Sequence, residues 1–401
     1  MTTAAPEILP PPVERYTVLH WLKNNLFQNW FSGLVTVALS IFLLAVGRAL
    51  LSWVLYEAQW QVIGDNMKLL MVGQYPFSEL WRIWIIMGLM GFFIGLTWGI
   101  WIRQNSTSAL FIVGLPFLLA LILPYSLPTR GGWALVGLVT LAGYLLGRRY
   151  PRQVRRLAGF GWLAFLPLAA VLVRGVGENS PMPMVTTNLW GGLLLTMVIG
   201  GIGIVLSFPI GVVLAIGRRS NYPVIRAFCI VYIELIRAVP LITVLFMAQT
   251  MIPLFMPATV DIDRVVRAII AFTLFSAAYM AENVRGGLQA IPKGQYEAAE
   301  AVGLNGFQSM RLIILPQALR SIIPILTASA IGGFRDTSLV LILGLLDLLG
   351  IAKATLAQPA FLGRHIEVYS FLAALYWFIS YAISYIGQTI EARWGVSQQK
   401  N

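Results

Sequence analysis

The chain has 401 residues, 58% hydrophobic and 11% charged, with a mean hydropathy of +0.78. A soluble domain carries about a quarter charged residues, so this composition excludes a water-soluble domain. The formal charge of +12 does not point to nucleic acid, because the arginines gather in short loops between apolar runs, as they do in helical membrane proteins.

Several apolar runs reach the roughly 20 residues that cross a bilayer as a helix. They lack the ~10-residue alternating segments of a membrane β-barrel. The expected fold is all-α and polytopic. Cys229 is the only cysteine, and His20 and His365 are the only histidines. An intrachain disulfide is impossible, and no metal site is expected.

The N-terminus, MTTAAPEILPPPVERYTV, is polar and Pro-rich. It has no basic region joined to a short apolar core, so residues 1–25 read as a cytoplasmic tail rather than a signal peptide. The membrane region over residues 26–187 has about five spans: Ser32 to Tyr56, Leu80 to Ile102, Ala109 to Tyr125, Trp133 to Gly147 and Leu157 to Arg174. Tryptophans such as Trp53, Trp81, Trp101 and Trp133 fall near their ends, as interfacial anchors do. The loop Gly175 to Thr187 is rich in turn formers and reads as an external linker and the main internal boundary.

Residues 188–395 have about five more spans: Asn188 to Ile216, Val224 to Ile252, Val265 to Gln289, Leu312 to Gly333 and Tyr369 to Ile390. Leu339 to Ile351 is apolar but short, and reads as a buried or re-entrant segment near the outer face. With both termini inside, Arg103, the Arg148–Arg156 cluster, Arg218–Arg219, Arg285–Arg311 and Arg393 all fall on the cytoplasmic side, which supports about ten spans. Arg82, Arg264 and Arg267 are exceptions on the outer side.

The segment Ala278 to Pro324 organises the second half. Its middle turns polar and small: Pro292-Lys293-Gly294 breaks the incoming helix, and Gln295 to Val302 is made of strong helix formers. Gly303 stands where a C-terminal cap requires it. Asn305 and Gln308 have capping-box spacing for a second helix that runs toward Pro316. Such a pair over residues 292–316, polar and set between two spans, is suited to being gripped by a partner.

Glu297-Ala298-Ala299, Gly303 and the Leu315-Pro316 end together resemble the cytoplasmic EAA motif of ABC-importer permeases. With Val239 to Met247 (VPLITVLFM) and Asp336-Thr337-Ser338-Leu339, the chain resembles the permease subunits of polar, general L-amino-acid importers. The resemblance covers about residues 188–395 and is most specific over 278–340. It implies that the C-terminal five spans form a type I importer core, and that the chain carries amino acids across the inner (plasma) membrane. It also implies a separate ATP-binding subunit that docks on Glu297, Ala298, Ala299, Gly303 and Leu304. A periplasmic amino-acid-binding protein and a sister permease are the other implied partners. No GxxxxGK[ST] occurs in the chain, so ATP is expected to be used by the partner and no cofactor to be bound directly. Nothing resembles a nucleophile–base pair or carboxylate dyad, and the protein is not expected to be an enzyme.

Intramembrane charges are costly and face cavities or partners. Glu234 and Arg237, and likewise Glu282 and Arg285, are spaced three apart on a helix face. Arg335-Asp336 follows Gly332-Gly333, where the ninth span can unwind. These pairs are either structural or substrate-facing. With the resemblance, the substrate-binding candidates are Glu282, Arg285, Gln289, Asp336, Thr337 and Thr243. Related permeases often carry a Thr before the Pro and a Gln four positions after it. Here those places are Val239 and Val244, which fits broad or neutral amino-acid specificity.

Three different functions compete with this one. An ion-coupled secondary transporter would need midplane ion ligands and an inverted repeat. An ABC permease for another small solute is disfavoured by the Arg285–Gln289 and Asp336–Leu339 runs, which resemble the amino-acid branch. A membrane scaffold without transport would tolerate replacement of its buried charges.

Overall fold

The apolar runs form helices in the computed structural model, which describes residues 18–102, 106–122, 126–177, 180–257, 259–260 and 262–394. Helices satisfy every backbone polar group within one segment, as the hydrocarbon interior demands. No β-strand occurs among the described residues, only two isolated bridges. Residues 1–17 of the expected tail and Arg103 lie outside the described residues.

The chain divides into two compact units between Gln61 and Val62. The first contains a short helix, Val18–Leu26, and the long helix α1 (Trp30–Ser52), which ends in a π-helical turn over Trp53–Glu57. The Ser32 amide donates to the Asn29 side chain at 2.8 Å and caps α1. No α1 side chain is buried within this unit.

The second unit contains α2 (Leu80–Trp101), α3 (Ser106–Ile122), α4 (Leu127–Arg149), α5 (Pro151–Arg174), α6 (Gly192–Gly217), α7 (Pro223–Ala238) and α8 (Leu241–Phe255). It continues with α9 (Arg264–Gln289), α10 (Lys293–Ala301), α11 (Leu315–Ser321), α12 (Ile323–Asp336), α13 (Leu348–Leu356) and α14 (His365–Trp394). Among the described residues of the whole chain, eight helical stretches are long and apolar enough to cross a membrane. The pair α7–α8 makes a ninth, and α3 is a shorter apolar helix. The boundary expected near residue 187 falls inside the second unit.

Two sequence expectations change. The first concerns two expected spans: Leu312 to Gly333 is divided at Ile322 into α11 and α12, with Ile323–Leu343 as the stretch long enough to cross, and Val224 to Ile252 is not one straight span but α7 and α8, bent by 102°. Pro240 has no amide to donate to the helix, and Val239 before it adopts the extended backbone that a following proline imposes. The second change is at Gly332-Gly333, where α12 stays helical through Asp336 and then tightens into a 3-10 helix, Thr337–Leu343. Gly333 lies close to Ile204 there: a Cβ at this position would stand 3.1 Å from that side chain. After Gly344, at φ 73°, the chain turns back into α13, so the short apolar segment is a buried return.

Helix packing relies on small residues, as in membranes generally. A Cβ at Gly95 of α2 would stand 2.2 Å from the Thr140 carbonyl oxygen of α4, so the two backbones meet directly. In the C-terminal half, Leu195 and Ile199 of α6 share one core with Phe272 and Ala271 of α9 and Leu245 of α8.

Contacts also define the ends of the bundle. The Val185 amide donates to the Arg174 carbonyl at 2.7 Å, and the Thr187 hydroxyl donates to Asp263. The end of α5 and the start of α9 therefore lie together, and Arg148–Arg156 lies at the opposite end with Gln289 and α10. Two of the exceptional arginines are buried at the first end. Arg82 pairs with Glu79 at 2.5 Å and donates to the Pro183 carbonyl at 2.9 Å, and Arg267 donates to the Gln249 carbonyl at 3.1 Å. These charges hold loops rather than orient helices.

Candidate functional site

Among the helices of the C-terminal half lies a cavity of about 360 Å³, at the lower end of small-molecule pockets. Its wall comes from Ile204 and Ser207 of α6, Leu241 of α8, Phe275, Ser276, Tyr279 and Met280 of α9, and Ser329, Ala330, Gly332, Gly333 and Asp336 of α12, closed by Leu339. Ser276 and Tyr279 are three apart and Met280 four, so one face of α9 supplies them. Asp336 is accessible and is the single carboxylate of the lining, which contains no Lys, Arg or His. The cavity therefore has one anionic point among hydroxyls and apolar walls.

One helical turn beyond Tyr279, toward the Gln289 end, lies a charge cluster. Glu282 hydrogen-bonds the Arg285 guanidinium, with Arg285 Nε at 2.9 Å, and its other oxygen stands 3.6 Å from both Arg218 and Arg237. Arg218 also meets Glu234 at 2.9 Å. Three guanidiniums and two carboxylates from α7, α9 and the turn after α6 thus share one site. The Arg237 guanidinium lies over the Tyr279 ring, 5.5 Å from its centroid, which joins the cluster to the cavity wall.

The polar helix pair is built largely as its sequence suggests. Pro292 precedes α10. At its far end the Leu304 amide donates to the Ala299 carbonyl at 3.1 Å and the Gly303 amide to the Glu300 carbonyl at 2.9 Å, the paired bonds of a Schellman cap. Gly303 has φ 80°, a conformation that side chains with a Cβ rarely adopt. The next turn, Gly306–Ser309, carries a complete capping box from Asn305 and Gln308. Glu297 and Ala298 are exposed, Ala299 is fully buried, and Leu304 is half-buried. Val302 and Phe307 are each 72% exposed, so the pair offers an apolar surface beside Glu297.

The pair is also tied to the spans. Arg219 donates to the Tyr296 hydroxyl at 3.1 Å and lies over its ring, and Gln317 of α11 donates to Gln295 at 3.1 Å.

The six substrate candidates separate. Asp336 lines the cavity. Glu282 and Arg285 stand in the charge cluster. Thr337 is fully buried and donates to the Phe334 carbonyl at 2.7 Å. Gln289 and Thr243 are exposed and outside the cavity lining. Sequence reasoning missed Arg218, whose partners are distant along the chain, and Ser207, Ser276, Ser329 and Tyr279. The helical spacing of Ser276, Tyr279 and Met280 was an available signal.

The family model described as binding-protein-dependent transport system inner membrane component matches residues 207–395. The chain is 35% identical to the inner membrane amino-acid ABC transporter permease protein YhdY of Escherichia coli K12, over 94% of this chain and 93% of that one. It is 32% identical to the glutamate/glutamine/aspartate/asparagine transport system permease protein BztC of Rhodobacter capsulatus, over 96% and 95%. Among solved structures, it is similar to a crystal structure of an amino acid ABC transporter with histidines, at 28% identity and a TM-score of 0.46, over 50% of this chain and 92% of that one.

Proposed function

Because the chain belongs to the family of binding-protein-dependent transport system inner membrane components, we propose how its own residues divide the work of import. It is a multi-pass inner-membrane permease subunit of an amino-acid ABC importer, and not itself an enzyme. The family is described as binding-protein-dependent and the relatives as ABC transporter permeases, which supports an ATPase and a solute-binding protein as its partners.

In our reading, the ATPase grips α10 through Glu297, Ala298 and Gly303, with Val302 and Phe307 in its apolar footprint. The observation that carries this is the exposed, doubly capped helix pair on which Ala299 is buried and Glu297 faces out. Tyr296–Arg219 and Gln295–Gln317 then pass its movement to the turn after α6 and to α11. ATP is hydrolysed on that partner. The Arg148–Arg156 end and α10 face the cytoplasm, a placement that the distribution of arginines supports, with both termini on the same side. A sister permease completes the pore, and the binding protein delivers substrate at the Asp263 end.

The cavity is the substrate station. Asp336 receives the α-ammonium group of an amino acid, and the serine hydroxyls of the lining receive polar atoms. With no cation in its lining, the cavity is built for broad or neutral side chains rather than for a second carboxylate. Glu282 and Arg285 act from the charge cluster just beyond it.

The test is uptake of labelled neutral amino acids in cells that contain the complete importer. Uptake is expected to vanish when the partner ATPase is catalytically inactive and to persist with an uncoupler while ATP is maintained. Loss with the uncoupler alone would indicate an ion-driven carrier.

A further inference from the structure

A second cleft, of about 690 Å³, opens at the end of the bundle assigned to the cytoplasm. Its floor is Ala142, Leu145 and Leu146 of α4, and its rim is Arg148, Arg149 and Tyr150. Arg152, Arg155 and Arg156 follow on the first turns of α5, all exposed. Arg148 donates to the Tyr144 hydroxyl at 3.1 Å, and Arg149 lies over the Tyr150 ring, so the two rim guanidiniums are held in place by aromatic neighbours.

The rim and the turns that follow it are strongly basic. No Asp or Glu occurs between Glu79 and Glu178, so the α4–α5 hairpin has no carboxylate of its own to neutralise five arginines. Beside them the surface turns apolar, with Leu145, Leu157 and Phe160 exposed. An apolar floor under a rim of guanidiniums matches a molecule with acyl chains and a phosphate.

We propose that this cleft binds an anionic diacyl phospholipid of the cytoplasmic leaflet. The phosphate is held by Arg148 and Arg149, with Arg152 and Arg155 adding attraction, and the acyl chains lie on Leu145 and Leu146. Guanidiniums suit phosphate because they donate in pairs, and basic pockets between helices on this side of a membrane receive anionic head groups. The site would fix the α4–α5 hairpin against the membrane surface.

The test is native mass spectrometry of the full-length protein in detergent, titrated with phosphatidylglycerol or phosphatidylcholine. Wild type is expected to retain phosphatidylglycerol selectively. Arg152→Gln/Arg155→Gln, which leaves three arginines to orient the hairpin, should retain about tenfold less. Leu145→Trp, which fills the floor without changing charge, should also lower retention. The proposal is overturned if both variants retain phosphatidylglycerol like wild type, or if the two lipids are held equally. It is also overturned if inorganic phosphate displaces the lipid at an ionic strength where chloride does not, which would mark a soluble-anion site. Loss of the co-purifying ATPase from the double variant, with lipid retention intact, would identify the arginines as a protein-docking surface and overturn it too.

Discussion

Asp336→Asn is expected to raise the amino-acid concentration needed for half-maximal uptake by about 10- to 100-fold, without loss of membrane insertion or of ATPase co-purification. Asp336 is the only carboxylate in the cavity lining, so no neighbour replaces its attraction for an ammonium group. A hydrogen bond to a charged group is worth about 1.5–3 kcal/mol, and each ~1.4 kcal/mol is a factor of ten. Asn keeps the size and one acceptor but removes the charge, so the change reports electrostatics rather than packing. Ser329→Ala, which deletes one neutral hydroxyl that also accepts from Asn283 at 3.0 Å, should cost less. Transport concentration curves of the two variants check this. Equal uptake by Asp336→Asn and wild type would remove Asp336 from the substrate station.

Glu282→Gln should be the more damaging change to the protein itself. Glu282 faces Arg285, Arg237 and Arg218 at once, and its loss leaves three guanidiniums with Glu234 as the remaining carboxylate of the cluster. Removing one partner of a fully buried ion pair costs about 3–5 kcal/mol. These side chains are 22–32% exposed, so about half of that, on the order of 2 kcal/mol, is the expected fall in stability. A second change, Arg237→Gln, removes one of the stranded charges and should recover part of the loss, because groups in one network are not additive. Thermal unfolding of the purified single and double variants measures the effect. If the double variant loses the sum of the single losses, the cluster is not acting as a unit.

The features legible in the sequence were those governed by neighbours along the chain. Pro292, Gly303 and the Asn305–Gln308 pair announce the helix pair because capping chemistry acts within a few residues. The positions of most helices followed from apolar runs for the same reason, although the runs Val224 to Ile252 and Leu312 to Gly333 are each divided. The bend at Val239-Pro240 was harder to see, since hydropathy stays high across it although the proline is in plain view. The cavity and the charge cluster depend on pairings between distant segments. Glu234 and Arg237 share a helix face, yet Glu234 meets Arg218 from the turn after α6, and no periodicity encodes that meeting. Ser207, Ser276 and Ser329 come from three helices and look like ordinary membrane-helix serines until packing brings them together. The arginines that run against the expected orientation show the converse: Arg82 and Arg267 weigh against it as bare charges, but burial in local contacts takes them out of that balance.

The central claim is that α10 is the grip through which a separate ATPase drives this permease. The most direct measurement is ATPase co-purification together with labelled amino-acid uptake for Glu297→Lys, in cells where the variant reaches the membrane at wild-type levels. Glu297 is exposed, so the reversal of its charge leaves the fold intact while it alters the docking surface. The account predicts that ATPase recovery and uptake both fall, by at least about tenfold for a charge contact at a docked interface. Full uptake with no ATPase bound would contradict it.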